Sequence, residues 1–212
     1  MDFVFDPSLV LYLPLYQLDG ASFVSKDARG HLCTVTGALW RPNGHYFDGT
    51  DDYIECPFPA SLVGNKAFTV ELWLKATRIS HTSSQTFFSM GTSNANEAFL
   101  IEVTTPNTDW NSVGFWGNGK DTNVEVLTNN YEHIVATYDL ATVIFYQNTT
   151  PTDIGFAGAT PNLTAGVVRL CRQLPAFGNY AQAIIPELRI YNRALTPQEI
   201  QHNYLATKWR YR

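Results

Sequence analysis

Gly44-His45-Tyr46-Phe47-Asp48-Gly49-Thr50-Asp51-Asp52-Tyr53-Ile54 sets two short aromatic and β-branched runs on either side of a turn built from Asp, Gly and Thr. The pattern predicts a tight strand-turn-strand, a hairpin in which Asp48-Gly49 supplies a residue that tolerates positive φ. Asp51 and Asp52 then place two carboxylates together at one end of it. Crowded carboxylates repel unless backbone N–H groups, an Arg or a cation offsets them, so the turn is either solvated or part of a hard-cation site.

Working outward, residues 68–75 alternate, with Phe68, Val70, Leu72 and Leu74 on one face and Thr69, Glu71, Trp73 and Lys75 on the other. That is the period of a half-buried strand. Residues 133–139 and 142–147 face each other across Leu140-Ala141 as a hairpin. Residues 9–15 read as a first strand that Pro14 confines to an edge or an ending. Further short strands are expected near residues 32–40, 86–91, 99–104, 112–117, 167–171 and 183–191. Thr196-Pro197-Gln198-Glu199 is a capping box with Pro at the first helical position, which starts a helix over residues 197–206. About a dozen short strands with a turn signal every ten or so residues, plus one terminal helix, predict an all-β sandwich with residues 1–212 as one domain.

Bulk properties narrow the function. The 212 residues are 45% hydrophobic and 16% charged, enough apolar content for a full core. A net charge of −5 argues against a nucleic-acid partner, which needs a basic stripe. The first residues lack a basic stretch followed by a long apolar one, so no signal peptide is expected, and no apolar run is long enough to span a membrane. Cys33, Cys56 and Cys171 form no CxxC pair. Cys33 and Cys56 could pair, with buried free thiols the default expectation.

Four stretches together resemble the laminin-G-like branch of the concanavalin A-like lectin/glucanase superfamily, of bacterial and viral type. They are Tyr46 to Ile54 in the opening turn, residues 68–75, residues 132–139, and the run Glu187-Leu188-Arg189-Ile190-Tyr191-Asn192-Arg193-Ala194-Leu195-Thr196-Pro197-Gln198-Glu199-Ile200. The resemblance implies a jelly-roll of two antiparallel sheets, a non-catalytic binding or adhesion role, and often one structural calcium. Carried over by residue, it points to Asp27 and Glu187 as calcium ligands, with Asp51 and Asp52 as contributors. Pro186 departs from the pattern, standing where the family has an Asp.

For a sugar site the candidates are Trp110 and Trp116 beside Asn111, Asn118 and Asp121, since flat aromatics cover the apolar face of a sugar while amides and carboxylates bond its hydroxyls. Trp110 is the better surface candidate; Trp116, inside a strand pattern, also reads as core packing, as do Trp40 and Trp73. Catalysis lacks the closely spaced carboxylates of the glucanases on this fold. His133 at a strand start reads as a packing or hydrogen-bonding residue. The expected function is a binding or structural module on the surface of a phage or virus particle, with a glycan or particle-surface protein as partner and a homo-oligomer as its form. The alternative is a carbohydrate-binding or adhesion domain of a secreted bacterial protein, placing the chain on a virion or outside a cell.

Overall fold

The computed structural model describes residues 6–80, 83–104, 110–126, 128–155, 161–174 and 178–211. In chain order the strands are β1 (Leu9–Pro14), β2 (Ser22–Val24), β3 (Leu32–Thr36), β4 (Leu39–Arg41), β5 (Gly44–Asp48), β6 (Tyr53–Pro57), β7 (Phe68–Arg78) and β8 (Gln85–Gly91). They continue as β9 (Ala98–Val103), β10 (Trp110–Phe115), β11 (Lys120–Glu125), β12 (Glu132–Tyr138), β13 (Val143–Gln147), β14 (Thr150–Asp153), β15 (Val167–Leu170) and β16 (Gln182–Tyr191), before helix α1 (Pro197–Thr207). One antiparallel sheet runs β14-β13-β12-β7-β16-β5-β4, with β1 also on β16; the other runs β11-β10-β9-β8-β15-β6-β3-β2. The two enclose a core of alternate residues such as Phe47, Phe68, Val70, Leu72, Phe99, Ile101 and Phe115. This is the expected all-β concanavalin A-like jelly-roll sandwich with a short C-terminal helix, and no helix among the described residues is long and apolar enough to cross a membrane.

The opening stretch is a correction. β5 and β6 flank a turn as expected but never pair: β5 lies between β16 and β4 in the first sheet, and β6 between β15 and β3 in the second. The turn is an arch between sheets. Gly49 takes φ +78°, Asp48 Oδ1 accepts from Thr50 N at 2.7 Å, and Asp52 Oδ2 accepts from Asp48 N at 2.9 Å. Side-chain carboxylates therefore close the corner, which lets Phe47 and Ile54 enter one core from opposite sheets.

Pro186 acquires a physical role at the centre of β16. Residues 182–185 pair with β5 and residues 187–191 pair with β1, so the imino acid sits where the neighbour changes and no ladder hydrogen bond is owed. Gly44 is needed there: a Cβ on it would fall 2.6 Å from Pro186 Cα.

The strand β7 is not half-buried. Its outward residues Thr69, Glu71 and Trp73 are as buried as its core face, because α1 and the 3-10 turn Lys208–Arg210 lie over them. Trp73 donates its indole N–H to Thr207 Oγ1 at 2.9 Å and its ring lies 5.7 Å from Tyr204 and 4.7 Å from Tyr211. The helix start is as expected: Thr196 N donates to Glu199 Oε2 at 2.8 Å and Thr196 Oγ1 accepts from Glu199 N. Trp73 packs as predicted, whereas Trp40, on β4 at the edge of its sheet, is 39% exposed.

A second correction concerns the thiols. Cys33 and Cys56 form a disulfide across β3 and β6, at a Cα separation of 4.3 Å, while Cys171 is free and buried. The two cysteines stand opposite each other because the β3–β6 register pairs Thr34 with Glu55 next to them. Sequence spacing could not reveal that register.

Candidate functional site

Phe99, Ile101 and Val103 of β9 point into the core, so the alternation turns Leu100 and Glu102 outward. On β10 the same logic turns Ser112 and Gly114 outward. These residues, with Phe115, Trp116, Gly117, Gly119 and Gln173, line a cleft of about 160 Å³ on the outer face of the second sheet. The floor is partly bare backbone. Gly114 has φ +149°, and a Cβ there would stand 2.9 Å from Gly119 Cα, so the glycines let the β10–β11 turn fold tightly over the sheet.

Glu102 is the chemical centre of the cleft. Its Oε2 accepts from Thr86 Oγ1 at 3.1 Å and from Gln173 Nε2 at 3.3 Å, and Gln173 Oε1 accepts from Asn179 Nδ2 at 2.5 Å. Burial pushes the Glu102 carboxyl up to about 7; the Thr86 bond opposes the rise and the charge of Asp121 adds to it. Glu102, Ser112 and Asp121 lie in one cross-strand row, Ser112 being paired with Glu102 on one side and Asp121 on the other. Sequence reading missed Glu102 and Gln173. The alternation of residues 99–104 could have placed Glu102 outward, but Gln173 arrives from 71 positions away.

The expected sugar-site residues separate. Trp116 lines the cleft and packs half-buried against Ala98, Leu100 and Leu174 on the outer face, not in the core between the sheets. Asp121 is exposed, and its Oδ1 accepts from Thr104 Oγ1 at 3.2 Å. Asn118 donates to Asn96 Oδ1 at 2.6 Å and so ties the cleft's rim to the neighbouring turn. Asn111 lies on the opposite face of β10, fully buried between the sheets; its Nδ2 donates to Val124 O and Gln147 Oε1, and its Oδ1 has no hydrogen-bond partner among the described residues. Trp110 begins β10 opposite Glu125, and its side chain lies outside the described residues.

The expected calcium ligands also divide. Asp51 and Asp52 come together with Asp48, with carboxylate oxygens within 4.8 Å of one another; Asp27 and Glu187 are not among them. Asp27 serves the backbone, accepting from Tyr12 N at 3.1 Å and Arg29 N at 2.9 Å. Glu187 is buried under the C-terminal segment, where it accepts from Arg189 and from Tyr211 Oη at 3.0 Å. Burial raises the Asp52 pKa, the hydrogen bond from Asp48 N opposes that, and the charges of Asp48 and Asp51 raise it further. Three crowded oxygens of this kind suit a hard cation.

Known proteins of this shape span several activities. Trypanosoma rangeli sialidase matches with a TM-score of 0.76 at 15% identity over 97% of this chain and 34% of that one, so the chain spans about a third of the sialidase. Domain 4 of AbnA, a GH43 extracellular arabinanase from Geobacillus stearothermophilus solved with arabinotriose, matches at 0.69 and 19% identity over 92% of this chain and 97% of that one. The binding domain of botulinum neurotoxin serotype G matches at 0.70 and 12% identity over 94% and 51%. No curated protein matches by sequence. At such identities the solved structures speak for the fold alone. The family profile Laminin_G_3, of the concanavalin A-like lectin/glucanases superfamily, matches residues 48–201, from the arch turn into the capped helix, and the chain belongs to that family.

Proposed function

We propose that the chain is a non-catalytic glycan-binding module whose site is the cleft between Trp116, Glu102, Ser112 and Gln173. The observation that carries this reading is the combination of a half-buried indole, a carboxyl, an amide and a hydroxyl around a glycine floor on an uncovered sheet face. An indole edge or face takes the apolar side of a sugar ring, and the polar groups bond its hydroxyls. Among the described residues both hydrogen bonds to Glu102 fall on Oε2, which leaves Oε1 for a ligand. A domain of the same fold solved with arabinotriose supports the class of ligand.

The disulfide between Cys33 and Cys56 fits an oxidising, extracellular setting. The Asp48, Asp51 and Asp52 turn would hold calcium as a structural ion, remote in the chain from the cleft residues. A glycan array followed by titration calorimetry tests the main reading. Binding of at least one oligosaccharide is expected, weakened by about tenfold or more in Trp116→Ala and in Gln173→Ala. Binding that both variants leave unchanged would remove the cleft as the site.

A further inference from the structure

Two arginines adjoin Gln173, which lines the cleft, Arg169 by a hydrogen bond to its carbonyl and Arg172 as the preceding residue, and the structure treats them differently. Arg169, on β15, is neutralised: its Nε and one terminal nitrogen donate to Glu55 Oε2 at 2.8 and 2.6 Å, and the other terminal nitrogen donates to Gln173 O at 3.2 Å. Arg172 has no carboxylate within ion-pair distance among the described residues. Its guanidinium lies over the Tyr53 ring at 4.6 Å and the Tyr180 ring at 5.4 Å, and its Nε is buried with no hydrogen-bond partner among the described residues. The residue as a whole is half-buried, so it is neither solvated like a surface arginine nor satisfied like a core one.

A guanidinium held between two aromatic faces keeps its plane fixed and part of its hydration removed, while its edge stays available for two parallel N–H donors. A guanidinium partly stripped of water with no countercharge beside it is costly, and an anion at its terminal nitrogens offsets part of that cost. The position also fits the cleft. Gln173, the next residue, lines it, and Tyr53 on β6 is three strand spacings from Glu102 on β9, about 14 Å, within reach of a short oligosaccharide. Acidic residues outnumber Lys and Arg, 19 to 14, so a free cationic fork here runs against the balance of the chain.

We propose that Arg172, clamped by Tyr53 and Tyr180, is an anion anchor beside the cleft, and that the glycan bound on this face is acidic, carrying a carboxylate or a sulfate. The proposal rests on the glycan-binding reading of the cleft and names its ligand class. The test uses matched probes: an oligogalacturonide and its methyl ester, sialyllactose and lactose, and sulfated lactose and lactose, each titrated against wild type, Arg172→Gln and Arg172→Lys, with melting curves confirming the fold. The acidic member of at least one pair binds wild type tenfold or more tighter than its neutral partner. Arg172→Gln brings that ratio to about one, and Arg172→Lys keeps part of it, because an ammonium retains the charge without the planar fork. The pair that shows the preference separates carboxylate from sulfate. Equal binding of acidic and neutral probes, lost in Trp116→Ala, overturns the anion anchor and leaves the glycan reading standing. A preference that survives Arg172→Gln also overturns it, and binding to no glycan of any kind overturns both.

Discussion

The outer faces of the two sheets carry similar residues and use them in opposite ways. On the first sheet Glu71, His133, Glu187 and Arg189 lie beneath the C-terminal helix. Glu71 accepts from His133 Nε2 at 2.8 Å and from Asn203 Nδ2 at 2.9 Å, with Arg189 at 3.7 Å. Burial opposes the charge on Glu71, but Arg189 first, then the hydrogen bond from His133, hold its carboxyl below the usual range. On the second sheet Glu102 and Arg172 lie beside a cleft with no helix over it among the described residues, and burial holds Glu102 up instead. A charged group on a sheet face is a structural element where a neighbouring strand supplies a partner of opposite sign, as Arg189 does for Glu71 and Glu187, and a group open to a ligand where none does.

Removing the cation from the covered face breaks the comparison most severely. Arg189→Met leaves Glu71 and Glu187 buried without their countercharge and is expected to cost about 3–5 kcal/mol in urea unfolding at pH 7. The pH sign is distinctive. In wild type the depressed Glu71 contributes stability above the unfolded carboxyl pKa, near 4.5, and loses it as pH falls through the lower folded value. In Arg189→Met that stabilisation is gone, so the gap between variant and wild type narrows on acidification. A gap that stays constant from pH 8 to pH 4 would show that the covered cluster is not electrostatic.

Among the described residues the second sheet has no helical cover, and it carries the covalent staple instead. Cys33→Ser with Cys56→Ser is expected to cost about 2–4 kcal/mol, read from denaturant midpoints under oxidising and reducing conditions. No difference between the two conditions in wild type would mean that the bond does not form in solution.

Glu102→Gln sharpens the contrast between the faces. The unfolded carboxyl ionises near pH 4.5 and the folded one near 7, so wild-type stability falls as pH rises between those values and stays lower above them. The amide removes that dependence and should be on the order of 2 kcal/mol more stable than wild type at pH 8, with little difference at pH 4. Equal slopes for the two proteins would return Glu102 to an ordinary solvated acid. The smallest effect belongs to the proposed calcium: millimolar calcium should raise stability by about 1 kcal/mol, and Asp51→Asn with Asp48→Asn should abolish the gain in a melting assay.

Local chemistry made much of the fold readable. The strand at residues 68–75 with its core face, the Leu140-Ala141 hairpin, the Pro14 ending and the Thr196–Glu199 capping box are each set by neighbours in sequence and each stands as expected, whereas the solvent face expected of that first strand does not. What escaped depends on distant partners. An Asp-Gly turn closes a hairpin or an arch with the same local bonds, and β16, more than a hundred residues on, decides which. Glu71 and Trp73 look solvent-facing until a helix 132 and 134 positions later covers them. Glu102 looks like a surface acid until Gln173 and Thr86 enclose it.

The arch at residues 48–52 also bears on the order in which the chain assembles. Because β5 and β6 each owe one of their two ladders to a strand remote in sequence, β16 and β15, beside the nearer β4 and β3, the arch between them is complete only when β15 and β16 arrive. Early structure belongs instead to the contiguous hairpin of β12 and β13, whose register is complete within fifteen residues of chain. Substitutions at Asp48 or Gly49 should therefore leave the refolding rate nearly unchanged and act almost wholly by accelerating unfolding.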